Sequence, residues 1–97
     1  MVWGPIMVCL LALPAHVAVA ATGAAPKGPD VFRTHCAVCH GDAGEGIAGP
    51  SLRPLPIPPA DVKFVVRDGR GQMPPFAPGD LPDADLDALI GFLETWR

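Results

Sequence analysis

At 97 residues, with a formal net charge of −3 and a sequence pI near 5.4, the chain has room for one small domain and no second. This acidic balance gives no attraction to nucleic-acid phosphates, so no nucleic-acid partner is expected. The 49% hydrophobic content is unevenly spread, because all seventeen Lys, Arg, Asp and Glu residues lie from Lys27 onward.

Residues 1–20 read as a secretory signal peptide. An apolar run, Ile6-Met7-Val8-Cys9-Leu10-Leu11-Ala12-Leu13, precedes Pro14 and the A-x-A tripeptide Ala18-Val19-Ala20. The opening Met1-Val2-Trp3-Gly4-Pro5 departs from the usual pattern, since it carries no Lys or Arg. A retained membrane anchor is the alternative, but the apolar run falls short of the roughly 20 residues a spanning helix needs. Cys9 leaves with the segment or stays as a buried apolar residue, and bulky Val8 before it makes a poor lipid-attachment context. Cleavage near Ala20 leaves roughly 76 residues, which is marginal for a core made only of side chains.

Residues 21–29 are rich in Ala, Gly and Pro and read as a flexible leader, and residues 30–97 as the domain. Asp30 suits an N-cap, starting a helix through Val31, Phe32 and His35 into Cys36-Ala37-Val38-Cys39-His40. Residues 41–50 hold Gly41, Gly44, Gly46 and Gly49 and predict a close-fitting loop. A phosphate cradle would need a strand-to-helix context and a nearby Lys, and neither is visible. Pro54, Pro56, Pro58 and Pro59 impose an extended stretch, with a ligand for a proline-binding domain as the exotic alternative. Asp61 suits the cap of a short helix carrying Val62, Val65 and Val66 on one side and stopping at Gly69.

A last helix is predicted over 82–97. Leu86, Leu89, Ile90 and Leu93 fall at i, i+3, i+4 and i+7, and Pro82 suits a first helical turn. Asp83, Asp85 and Asp87 crowd the end where the helix dipole favours negative charge. They read as dipole partners on a solvated face, not as a metal or catalytic site.

The chemistry concentrates at Cys36-Ala37-Val38-Cys39-His40. Two cysteines separated by two residues, with a histidine directly after, have the spacing of covalent c-type haem attachment. Cys36 and Cys39 would add across the two haem vinyl groups as thioethers, holding His40 under the iron as the proximal ligand. A thioredoxin-like pair would need a βαβ pattern, and a zinc site would need a second Cys/His pair. A disulfide within the turn would be strained and would leave His40 unexplained.

A haem iron held by His40 needs an open sixth site or a distal ligand. Met1 and Met7 lie in the leading apolar segment, which leaves Met73 as the only thioether beyond it. A lone Met is usually a core gap-filler. This one sits in Gly69-Arg70-Gly71-Gln72-Met73-Pro74-Pro75-Phe76, where Pro74 pushes Met73 into an extended conformation, and it reads as the distal axial ligand. His16 lies in the apolar segment. His35 immediately precedes Cys36 on the attachment side and reads as an exposed helix residue, with minor tuning or misligation as the alternative. His40 and Met73 are therefore the preferred iron ligands, a pair that raises the reduction potential relative to two imidazoles.

Gly28, Phe32, Cys36-Ala37-Val38-Cys39-His40-Gly41, Gly44, Gly46, Gly49-Pro50-Ser51-Leu52, Met73-Pro74 and Leu89-Ile90-Gly91-Phe92-Leu93 together resemble a small class I cytochrome c, bacterial, periplasmic and mono-haem. The resemblance spans nearly all of the chain beyond the leader. It implies an all-α fold, three to four short helices packed around one covalent haem c that supplies the missing core. It also implies that Gly28 and Phe32 cross Leu89 and Phe92, and that the carbonyl of Pro50 orients His40. In the systems this resembles, haem is attached outside the bacterial cytoplasmic membrane, in keeping with an exported, periplasmic protein and no membrane span in the mature chain.

The implied function is single-electron transfer between redox partners, a dehydrogenase and a terminal oxidase or reductase among them, and not enzyme catalysis. Two other readings stay open. One is a cytochrome subunit tightly bound to a periplasmic dehydrogenase or oxidase complex. The other is a haem enzyme or gas binder with an open sixth site, which requires that Met73 not ligate. The chain also departs from the family's larger members. It has no Tyr, and neither Trp3 nor Trp96 stands where a propionate-binding tryptophan is placed, so Arg53, Arg67 or Arg70 become the candidate donors. Lys27 and Lys63 are the only lysines, so partner recognition is expected to be weakly electrostatic or to depend on apolar contacts.

Overall fold

Prolines decide where two of the helices begin. In the computed structural model, which describes residues 2–5, 9, 11–12 and 25–97, the order is α1 (Gly28–His35), α2 (Ala37–His40), α3 (Pro59–Asp68) and α4 (Asp83–Leu93), followed by a 3-10 turn over Glu94–Trp96. Pro29 lies in the first turn of α1 and Pro59 opens α3, positions where a missing N–H costs nothing. The caps are accordingly Lys27 and Pro58, without side-chain cap bonds, and not the expected Asp30 and Asp61. Both aspartates sit inside the first turn, where they meet the positive end of the helix dipole. Asp30 there also accepts a 2.9 Å bond from Arg33. Most of residues 1–20, with Met1, Met7, His16 and the Ala18-Val19-Ala20 tripeptide, lies outside the described residues.

The last helix is shorter than its periodicity implied. Pro82 caps it from outside, and beyond Leu93 the backbone tightens into the 3-10 turn instead of continuing to Arg97. The Thr95 hydroxyl donates to the Phe92 carbonyl at 2.7 Å, adding a side-chain bond to one of the last oxygens of the helix. Among the described residues there is no strand, and one antiparallel bridge pairs Arg70 with Met73. The architecture is all-α. Among the described residues no helix is long and apolar enough to cross a membrane.

The α4 stripe faces inward as its spacing requires, with Leu86, Leu89 and Leu93 buried against Val31 and Phe32 of α1 and Val62 and Val66 of α3. The crossing of α1 and α4 depends on Gly28. A Cβ there would run into the Ala88 carbonyl oxygen and stand 2.5 Å from Phe92 Cβ. Phe32 meets Phe92 edge-on at 5.9 Å, as the glycine and aromatic crossing implied.

Trp96 completes that cluster, a role its sequence position did not reveal. Its ring stands edge-on to Phe32 at 5.0 Å and to Phe92 at 4.9 Å, and its carbonyl accepts the Leu55 N–H at 2.7 Å. The 3-10 turn thereby ties the proline-rich stretch to the helix crossing. The Arg53 guanidinium lies 5.4 Å from the Trp96 ring centroid. Replacing it in Arg53→Gln is expected to lower stability by about 0.5–1 kcal/mol, read from the guanidinium denaturation midpoint.

Candidate functional site

α1 and α2 form a helical run interrupted only at Cys36. The Cys36 N–H still reaches Phe32 O at 2.8 Å, and the His40 N–H reaches Cys36 O at 3.0 Å, so the five motif residues occupy adjoining turns. Gly41 then ends the run with a φ of 86°, a left-handed conformation that glycine adopts without strain.

From Gly41 the chain folds back under the motif. Cys39 O accepts the N–H groups of Gly49 at 2.8 Å and Ile47 at 3.2 Å, and His40 O accepts that of Gly46 at 2.6 Å. This return brings Pro50 O to 2.9 Å from His40 Nδ1. A carbonyl oxygen only accepts, so Nδ1 carries a proton, and in the neutral ring Nε2 then has the lone pair for a ligand. Gly49 leaves the space that the ring needs, because a Cβ there would stand 2.8 Å from His40 Cε1 and 3.0 Å from Nδ1.

All five residues singled out from the sequence, Cys36, Cys39, His40, Pro50 and Met73, border one cavity of about 510 Å³. That volume is in the roughly 300–1,000 Å³ range of cofactor sites. Phe32, Leu52, Val62, Val66 and Leu89 make much of the remaining wall apolar. Among the described residues lining it there is no carboxylate, and Arg70 is the one Lys or Arg. Met73 is half-buried, its backbone paired with Arg70 across a tight turn.

Three expectations change at this point. His35 is not an exposed helix residue: it is half-buried, borders the cavity and packs edge-on against Phe76 at 6.0 Å. Arg53 does not border the cavity, because its side chain is drawn to Trp96 and to Ala43 O at 3.5 Å. Arg67 is also outside, with its guanidinium committed to two carbonyls and Asp83. Arg70 alone of the three proposed propionate donors lines the cavity.

The donor chemistry fits a covalently held haem. Burial, and secondarily the neighbouring Cys39, pushes the Cys36 thiol up to about 11. A reactive redox dithiol needs the opposite, a lowered thiol pKa. Cys36 and Cys39 are both free and so available for thioether bonds. Among the described residues no group of three or more His, Cys, Asp or Glu is placed to hold a bare metal ion. An apolar cavity edged by two thiols, one pre-oriented imidazole and one thioether suits a large flat apolar cofactor with a metal at its centre.

Comparison with known proteins agrees. The family described as "Cytochrome C oxidase, cbb3-type, subunit III" matches residues 23–93. The chain is 42% identical over 81 residues to the dihydro-heme d1 dehydrogenase of Pseudomonas aeruginosa, a match taking in 78% of this chain and 16% of that protein. A cytochrome c-553-like protein of Synechocystis sp. is 30% identical over 77 residues, covering 79% of this chain and 73% of that one. In a crystal structure of p-cresol methylhydroxylase with substrate bound, one chain superposes with a TM-score of 0.62 at 28% identity, over 73% of this chain and 93% of that one. The chain therefore spans only a small part of the dehydrogenase but most of the c-553-like protein. Proteins of this kind bind covalent haem c, and both cysteines that the linkage requires are present at Cys36 and Cys39. On its helical fold and a family match over most of its length, the chain belongs to the cytochrome c family.

Proposed function

We propose that this chain is a mono-haem electron carrier exported to the periplasm, with His40 and Met73 as the axial ligands of its iron. The observation that carries the reading is the 2.9 Å bond from His40 Nδ1 to Pro50 O, made in the wall of the cavity that Cys36, Cys39 and Met73 also border. When bound, haem supplies a ferrous/ferric couple that passes one electron without making or breaking bonds.

The chain's own residues do the rest. Cys36 and Cys39 hold the ring through their sulfurs, which fixes its position relative to the helix they share. Pro50 keeps the proton on Nδ1, directs Nε2 at the metal and makes the imidazole a stronger donor. Met73 contributes an uncharged thioether, which favours the ferrous state. The apolar side chains exclude water and keep the dielectric low. Residues 1–20 act as the export signal, delivering the chain to the compartment where the cofactor is attached.

The reading is tested by the absorption spectra of the oxidised and reduced protein, expressed with haem-maturation machinery, beside those of Met73→Ala. A low-spin c-type spectrum is expected, with an iron–sulfur charge-transfer band that disappears in the variant. A high-spin spectrum unchanged by the substitution would instead favour the open-site enzyme or gas binder.

A second reading is favoured by one comparison in particular. The p-cresol methylhydroxylase chain is covered over 93% of its own length, so a separate chain of this size occurs in the structure of that enzyme. The dihydro-heme d1 dehydrogenase carries the matching region within a much longer chain. On this reading the protein is the cytochrome subunit of a periplasmic dehydrogenase or oxidase complex. Co-purification with a larger subunit at native expression levels distinguishes it from a freely diffusing carrier.

A further inference from the structure

Arg67 stands outside the cavity, yet its side chain is only 17% exposed and its guanidinium is heavily engaged. Nη1 donates to Leu81 O at 2.7 Å and to Phe76 O at 3.1 Å, while Nη2 donates to Asp83 Oδ1 at 2.5 Å. All three acceptors lie on the segment that runs from the Met73 loop into α4. We propose that Arg67 is the positioning residue that keeps Met73 on the iron, acting through the backbone at Phe76 and Leu81. The inference rests on the His40/Met73 ligation proposed above.

Before Met73, the chain turns tightly, with the Met73 N–H donating to Arg70 O at 2.9 Å and the Arg70 N–H donating to Met73 O at 3.0 Å. A Cβ at Gly69 would stand 2.8 Å from both Met73 O and Pro75 N, so the loop presses directly onto the end of α3. After Met73 come Pro74 and Pro75, neither of which has an N–H to donate. Phe76 is thus the first residue beyond Met73 whose peptide N–H can be tied down.

It is tied at both ends. The Phe76 N–H donates to Val66 O at 2.9 Å, and the Phe76 carbonyl accepts from Arg67, so consecutive residues of α3 grip one residue of the loop. The second bond from Nη1 reaches five residues further, to Leu81, and spans the exposed turn at 77–80. Only a guanidinium combines a permanent charge with several donors in a rigid fork, and a largely buried charge demands that its donors be satisfied. A neutral thioether is a weak ligand for ferric iron. How long it stays bound depends on the effective concentration at which the loop presents it.

The test is the uptake of imidazole by the ferric, haem-loaded protein. At saturating imidazole the rate is set by departure of Met73, and the iron–sulfur band reports the same event at equilibrium. Arg67→Met, which keeps bulk and removes every donor, is expected to raise the limiting rate roughly tenfold or more and to weaken the band. Arg67→Lys, which keeps one charged donor, should fall between it and wild type, and it carries the measurement if Arg67→Met does not accumulate folded. Asp83→Asn should stay near the wild-type rate, because that carboxylate is 71% exposed and an exposed ion pair contributes little. Arg53→Gln controls for general destabilisation and should not change the rate. Uptake by the Arg67 variants at the wild-type rate, or an equal acceleration in Arg53→Gln, would overturn the proposal. Absence of the iron–sulfur band from the wild type would instead overturn the ligation on which it rests.

Discussion

Cys36→Ala combined with Cys39→Ala is expected to leave no covalent haem on the chain. After export with maturation machinery, the denatured variant should give no haem stain on a gel, and its intact mass should equal that of the polypeptide alone. The wild type should stain and weigh more by one haem. The two thiols border the same cavity, and neither is in a disulfide. A second effect follows from packing. Phe32, Val62, Val66 and Leu89 face the cavity as well as each other, and without a resident they lose contacts on that side. The double variant should therefore also unfold at much lower guanidinium concentration than the wild type. Retention of the haem mass by the variant would refute attachment at these two positions.

The second large effect is expected at Gly28. A Cβ at this position meets the backbone oxygen of Ala88 as well as Phe92 Cβ, and a backbone atom cannot swing aside as the end of a long side chain can. Gly28→Val should force α1 and α4 apart and break the edge-on contacts of Phe32 with Phe92 and Trp96. A loss of about 3 kcal/mol or more is expected, at or above the top of the usual overpacking range. In a domain whose whole stability is of order 5–15 kcal/mol, that is a large share. Gly91 on α4 is the internal comparison, since nothing lies within 4 Å of its would-be Cβ. Gly91→Ala should gain roughly 0.5–1 kcal/mol from helix propensity alone. Denaturation midpoints moving in opposite directions for the two variants would separate close approach from backbone preference. Equal and small shifts would sink the account of the crossing.

The parts of this molecule that were legible in its sequence are those set by short spacings. The CxxCH spacing is local, and so is the i, i+3, i+4, i+7 stripe of α4: the motif falls on adjoining helical turns, and Leu86, Leu89 and Leu93 are buried with Ile90 packed partly against them. The helix starts at α1 and α3 lie three residues before those the caps imply. Asp30 and Asp61 are good caps by residue type, but the prolines next to the helix starts allowed earlier beginnings. By sequence alone Arg67 reads only as a candidate donor to the cofactor. Its real acceptors, Phe76 O, Leu81 O and Asp83, lie 9, 14 and 16 residues away, and two are carbonyls that every residue possesses. No sequence pattern marks such partners. The role of Trp96 is hidden for a related reason: its contacts with Phe32 and Leu55 depend on the 3-10 turn that rotates it inward.

Prolines at 50, 56 and 74 stand in the cavity wall, supported by others at 54, 58, 59 and 75. Each has its φ locked before the chain folds, so these segments lose few conformations in becoming a wall. Most flexible chains would order such a surface only when a ligand arrived, and binding would bear that entropy. Here the ordering is built into the covalent geometry of the polypeptide. The receptacle is stiffened in advance, and the thiols can wait at its edge for a cofactor that has to enter only once.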